Sequence, residues 1–368
     1  MRSLIKNIYL AARGLLLGLV PYMRPPEDRD VRSILFIRID RLGDIIMSLP
    51  AMEAFRAIYP ASRISVLVKK EFAPIFRNIP YIDEVIDYGR FLPGLIRLRR
   101  KRFDMAVDLL MDYTLKTALL ARLCGARIRI GFDIESRGRL FNIPVKSRPA
   151  GRNMAENVMD LARSAARLRG AESAVPFQAL PKLFITESES RDAEALLDEI
   201  GIRKNQARAG FHPGAKFASQ RWGARKFAEL ADRISSRHGA GIIIFGADSD
   251  RGEVELMAAS MTTRPVVLAG IPIDRAAAIM SRLDMFVCNN SGPLHVAVAL
   301  GVPTVSVMGP TVEHLWRPVG PGHIVIRHPG ACAPCDKPEC KNPECLGSIT
   351  VDEMEKAAAG LFDKVKRR

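Results

Sequence analysis

The residues best suited to chemistry lie where short apolar runs give way to polar ones. Asp44 follows such a run in "RIDRLGDIIMSLPAMEAFRAIYP" (38–60), with Gly43 allowing a tight turn before a helical stretch begins. A carboxylate at the exit of a strand can accept a proton from a sugar hydroxyl. Asp also makes a good helix N-cap, which the helix dipole favours, and the two roles can coexist. Asp40, four residues earlier, is a rival carboxylate.

Three further segments look built for an anion. In "FHPGAKFASQRWGARKFAEL" (211–230) a strand ends at His212 and Gly214, a basic loop follows, and a helix begins near Gly223. Free N–H groups at such a helix start attract phosphate, and Lys216 and Arg221 can add charge-assisted contacts. The plain alternative is a solvated basic loop with Trp222 as its packing anchor. In "CNNSGPLHVAVALGVPTVSVMGPT" (288–311) the strand "DMFV" breaks into Asn289, Asn290 and Ser291, and Gly292 lets phosphate approach the backbone ahead of a second helix. His295, three residues into that helix, is of a kind more often structural. Gly309 and Thr311, in "MGPTVEHLWRP" (308–318), would form the neighbouring wall.

Cysteine supplies a separate chemistry. Four of the six fall in "CAPCDKPECKNPEC", as Cys332, Cys335, Cys340 and Cys345. The spacing C-x2-C-x4-C-x4-C is that of a zinc knuckle with cysteine replacing the usual histidine, so structural zinc stands beside disulfides and free thiols as a reading. The loop has no aromatic residue and nearly balanced charge, which argues against nucleic-acid readout. Cys124 and Cys288 sit in apolar segments and read as core.

These residues need a scaffold, and the apolar pattern describes one. Strand-like runs at 33–39, 63–68, 103–110 and 127–132 alternate with helical stretches, and a second series follows near 207–212, 241–246, 265–270, 284–288 and 303–309. Continuous apolar strands between helices predict parallel sheets covered on both faces. The expected organisation is an N-terminal extension over 1–32, one α/β domain over 33–175, a second over 176–349 carrying the cysteine loop 332–345, and a last helix over 350–368 that packs back on the first domain. Two such domains face across a cleft, where ligands bind beyond the carboxyl ends of the strands. Neither G-x-G-x-x-G after the first strand nor G-x-x-x-x-G-K-[ST] anywhere is present, which argues against a dinucleotide oxidoreductase or a P-loop NTPase and towards a nucleotide-sugar enzyme.

Charge points to partners. The chain carries 55 Lys and Arg against 40 Asp and Glu, a net +15, with "RLRRKR" at 97–102 as one concentration. Aromatics make up 7% and do not interleave with the basic residues, so single-stranded nucleic acid is not the expected partner. The first 30 residues contain "GLLLGLV", far shorter than the ~20 residues of a spanning helix. They read as an amphipathic basic helix lying on an anionic membrane surface, or packed on the protein's own body.

Taken together, L-G-D-I-I-x-S-L-P-A at 42–51, H-P-G-A with R-W at 212–222, N-x-S-G-P-L-H-x-A-x-A-L-G-V-P at 289–303 and G-P-T at 309–311 resemble glycosyltransferase family 9, the ADP-heptose:lipopolysaccharide heptosyltransferases. The resemblance covers about residues 33–355. It implies a GT-B fold of two Rossmann-like doubly wound domains, a lipid-linked acceptor on the first and a nucleotide-sugar donor on the second, with inversion and no catalytic metal. On that likeness Asp44 is the general base, Arg41 and Gly43 flank the acceptor, and His212, Gly214, Lys216, Arg221, Asn290, Ser291, Gly292, His295, Gly309 and Thr311 serve the donor. Gln220 stands where the family commonly has lysine, and Asn290 where it has aspartate, so the donor's identity is left open.

The expected function is therefore transfer of a heptose or related sugar, from ADP-heptose by preference, to the lipopolysaccharide inner core at the cytoplasmic face of the membrane. The alternatives are a nucleotide-sugar epimerase or hydrolase on the same scaffold, and a non-catalytic membrane-surface binding protein.

Overall fold

A computed structural model describes residues 2–21, 31–148, 150–172, 179–330 and 332–365, with the backbone alone at 2–9 and 363–365. The chain divides into two compact units, Met1–Pro181 and Lys182–Arg368. The expected 175/176 boundary lies outside the described residues.

The first unit runs α1 (Arg2–Gly18), β1 (Ser33–Ile37), α2 (Leu42–Ile58), β2 (Arg63–Val68), β3 (Glu84–Asp87), α3 (Phe91–Lys101), β4 (Met105–Asp108), α4 (Leu115–Leu123), β5 (Ile128–Asp133), β6 (Ile143–Lys146) and α5 (Met154–Arg169). Its six strands are parallel, in the order β3-β2-β1-β4-β5-β6. β1 is apolar along its length because helices cover both faces: Ile34, Leu35, Phe36 and Ile37 are fully buried.

The second unit runs α6 (Glu187–Glu199), β7 (Arg208–His212), α7 (Ala224–His238), β8 (Gly241–Gly246), α8 (Arg251–Ser260), β9 (Val266–Ala269), α9 (Ile273–Met280), β10 (Met285–Asn289), α10 (Gly292–Ala299), β11 (Thr304–Val307), α11 (Glu313–Trp316), β12 (His323–Ile326), α12 (Glu344–Gly347) and α13 (Val351–Val365). Its parallel order, β9-β8-β7-β10-β11-β12, repeats that of the first unit. Each sheet reverses direction of winding once, between β1 and β4 and between β7 and β10. Adjacent connections leave in opposite directions there, opening a crevice at the carboxyl edge.

The nine predicted strands are present. β3, β6 and β12 are the additions, four residues each, partly exposed and at sheet edges, where the apolar signal is diluted. The last helix, expected to pack back across the boundary, places Met354, Ala358, Leu361 and Phe362 in the second unit's core beside Phe227 and Leu230 of α7. The N-terminal helix is packed too: Leu17 joins the core cluster of the first unit and Arg13 is 4% exposed. Charge is unevenly divided, with 31 Lys and Arg against 18 Asp and Glu in residues 1–181 and 24 against 22 in the remainder.

Candidate functional site

Asp44 lies at the first unit's winding reversal, in the first turn of α2. The N-cap position belongs to Arg41, whose φ of −119° and ψ of 154° are extended, and no side chain caps the helix. Asp44 is therefore not a cap. Its neighbours are ionic instead. Arg38, at the end of β1 and 1% exposed, approaches Asp44 Oδ1 through Nη2 at 3.2 Å and also donates to the Asp44 carbonyl. The same guanidinium lies 3.3 Å from Asp40 Oδ1 and donates to the Leu109 carbonyl at 2.6 Å.

Burial pushes the Asp44 carboxyl up to about 6, with Asp40 and Asp112 adding repulsion against the pull of Arg38 and Arg41. Its side chain nonetheless keeps 13% exposure, so the acid is largely desolvated yet reachable. A carboxylate tuned close to neutrality suits proton abstraction. Arg41 is exposed and Gly43 buried, on either side of Leu42.

The segment after β4 borders this acid. Arg137 is fully buried and pairs with fully buried Asp108, whose carboxyl burial pushes up against the pull of Arg137. Arg137 also donates to Thr117 Oγ1 at 3.1 Å and to the Asp112 carbonyl at 2.9 Å. Asp112 accepts from the Thr114 N–H at 2.8 Å, closing a local turn.

In the second unit His212, ending β7, and Asn289, ending β10, meet at the other reversal, where the two strands are paired. His212 is 3% exposed. Its Nε2 lies 3.2 Å from Asp250 Oδ2 and its Nδ1 3.3 Å from Ser291 Oγ. Burial alone would raise the Asp250 carboxyl, but its hydrogen bond with His212 and the charges around it bring it below the ordinary value. Gly214 is required here, because a Cβ would stand 2.4 Å from the Asp250 carboxyl.

Asn289 corrects one expectation. Rather than meeting a ligand, its fully buried amide donates to the carbonyls of Pro213 (2.7 Å) and Gly214 (3.1 Å) and its oxygen accepts from the Trp222 N–H (2.9 Å). It spans the loop 213–222 and fixes both ends. Arg221 also braces that loop, donating to the Ala215 carbonyl and pairing with Glu253, both at 3.1 Å. Lys216 is exposed, with its ammonium 5.5 Å from the Phe217 ring centroid.

Asn290, Ser291 and Gly292 remain partly exposed at the start of α10, where the first N–H groups have no intrahelical acceptor. Asn290 Nδ2 donates to Thr311 Oγ1 at 2.8 Å, tying this turn to the loop of Gly309 and Thr311. Gly309 is packed so tightly that a Cβ would meet Leu346 at 2.6 Å. His295 is different: burial drives its imidazole down to about 4, so it is neutral, and it packs 6.1 Å from the Trp316 ring.

This arrangement has known relatives. The sequence model of glycosyltransferase family 9 (heptosyltransferase) matches residues 95–346, more than half of the chain. The chain belongs to glycosyltransferase family 9. It is 28% identical to lipopolysaccharide heptosyltransferase 2 of Escherichia coli strain K12 over 311 residues, covering 80% of this chain and 88% of that one. The solved structure of E. coli ADP-heptose lps heptosyltransferase II has 26% identity and a TM-score of 0.76, over 91% of this chain and 99% of that one. A family 9 glycosyl transferase from Veillonella parvula gives 24% and 0.78, over 92% and 99%. The fold is GT-B, as expected, and the protein is a glycosyltransferase.

No disulfide joins the cysteines of this glycosyltransferase among the described residues. Cys332, Cys335, Cys340 and Cys345 line one cavity of about 50 Å³ with Ser219 and Pro310. Their loop holds two others: Ser219 N–H donates to the Pro338 carbonyl, and the Cys335 and Asp336 N–H groups donate to the Pro310 carbonyl. Among the described residues no three His, Cys, Asp or Glu side chains stand close enough to hold a metal ion as placed.

Sequence reasoning missed Arg38, Asp112 and Asp250. Arg38 was legible as an arginine at a strand end two residues before a carboxylate. The other two lie far along the chain from the residues they serve.

Proposed function

We propose that this protein transfers heptose from ADP-heptose to the lipopolysaccharide inner core, with inversion, using Asp44 as general base. The observation that carries the reading is the Asp44 carboxyl itself, raised to about 6 and still reachable at the carboxyl edge of the sheet. Asp44 takes the proton of the acceptor hydroxyl as that oxygen attacks the anomeric carbon. The bond from that carbon to the diphosphate oxygen breaks, and its electron pair leaves with ADP. General-base catalysis of this kind contributes roughly 10²- to 10⁴-fold.

The donor diphosphate is assigned to the start of α10 at Ser291 and Gly292, with the Lys216 ammonium as its cation. Helix N-termini and fixed cations stabilise a departing anion without reorganisation. Asn290, oriented by Thr311, offers a neutral amide to a sugar or ribose hydroxyl. Mixing the protein with ADP-heptose, with and without a lipid-linked core acceptor, tests the reading. ADP release that depends on acceptor supports it; equal release without acceptor would indicate a hydrolase.

An anionic bilayer as the working surface is supported by Leu15 and Leu16 of α1 and Leu19 just after it, all more than two-thirds exposed, on the strongly basic unit. No described helix is long and apolar enough to cross a membrane. Co-sedimentation with vesicles containing acidic lipid checks this. A structural zinc drawing in the four cysteines is supported by their shared cavity; elemental analysis finding one zinc per chain would bear it out, and none would refute it.

A further inference from the structure

The segment 109–114, between β4 and α4, is held by three arginines from three different elements. Arg38 of the β1 exit takes the Leu109 carbonyl. Arg137 takes those of Leu110 and Asp112. The third is Arg13 of α1, which donates to the Tyr113 carbonyl and, through its other terminal nitrogen, to the carbonyls of Glu135 and Ile134.

Arg13 is 4% exposed, although α1 is otherwise a peripheral helix that shows Leu15 and Leu16 to solvent. Burying an arginine is costly unless its donors find acceptors, and both terminal nitrogens of Arg13 meet main-chain carbonyls. Neighbouring Leu17 anchors the same turn in the core, and Gly14 packs close to Ser136. The helix thus joins the segment 109–114 to the turn 134–136.

What the segment presents is relevant to transfer. Arg38 holds the Asp44 carboxylate and the Leu109 carbonyl with one guanidinium, so the segment starts beside the acid. Tyr113 is 39% exposed and Asp112 and Thr114 are at least partly so. We infer that Arg13 is a positioning residue for the reaction: by fixing the Tyr113 carbonyl it sets residues 112–114 as an acceptor-facing wall beside Asp44. This rests on the reading of Asp44 as the base. It gives the N-terminal helix a role in acceptor recognition, which a peripheral appendage would not have.

A neutral chain of similar length keeps the packing and removes the donors, so Arg13→Met is the first variant. Its acceptor KM should rise about tenfold, its donor KM should change less than twofold, and amide exchange should quicken at 109–114. Arg13→Lys should recover part of the acceptor affinity, because a single ammonium can serve one of the two segments. Unchanged exchange at 109–114 in Arg13→Met overturns the inference, and so do donor and acceptor KM rising together. If the wild-type protein transfers no heptose, the reading of Asp44 fails, while the exchange experiment still decides whether Arg13 holds the segment.

Discussion

Arg38 grips Asp44 twice, through its carboxylate at 3.2 Å and its main-chain carbonyl at 3.0 Å, from a site with 1% exposure. The pair fixes the start of α2 and the field at the acid in one contact. Attraction from a buried guanidinium favours the ionised acid, while burial and the two nearby aspartates favour the neutral one. Burial wins, leaving the acid close to neutrality.

Transfer should therefore fail in acid. Below pH 6 Asp44 holds its proton and accepts none, so kcat/KM should fall tenfold per pH unit; above pH 6 this limb should be flat. Asp44→Asn should lower kcat by roughly 10²- to 10⁴-fold with donor affinity within about twofold. A pH–rate profile and donor calorimetry measure both, and activity within a few fold of wild type would remove Asp44 as the base.

Arg38→Met removes the charge that lowers the Asp44 carboxyl. The acid limb should move to higher pH, because the repulsion from Asp40 is then uncompensated as well. Leaving buried acids without their partner costs about 3–5 kcal/mol, which urea unfolding at pH 7.5 would register.

Asp108→Asn should destabilise the first unit by a similar amount, about 3–5 kcal/mol, because Arg137 would remain fully buried with its charge unmatched. Pairing it with Arg137→Met should restore part of the loss. Additive losses in the double variant would show that the two side chains do not act as a pair.

Gly214→Ala puts a methyl group where the Asp250 carboxyl sits. Either Asp250 swings away and releases His212, or the loop 213–222 lifts from Asn289. In both cases donor affinity should fall about tenfold with acceptor KM little changed, as read by donor titration.

Much of this was legible before folding. The two series of β-branched runs predicted two parallel sheets, because strands buried on both faces must be apolar throughout. The short edge strands β3, β6 and β12 escaped notice because half of each faces solvent. Asp44 and Ser291 were legible as polar residues placed at strand exits. The division of labour among Asn289 and Asn290 was not: one braces the loop 213–222 and the other turns to Thr311, and nothing in "CNNSG" distinguishes two identical side chains.

The sequence by itself determined the order of elements, the glycines at the turns and which strands end in polar groups, since these follow from periodicity and local sterics. Only the tertiary structure decided which aspartate is tuned and which arginines hold the segment beside Asp44. Those outcomes depend on desolvation and on charges brought together through space, such as Arg13 with Tyr113 and Asp112 with Asp44, and separation along the chain does not encode them.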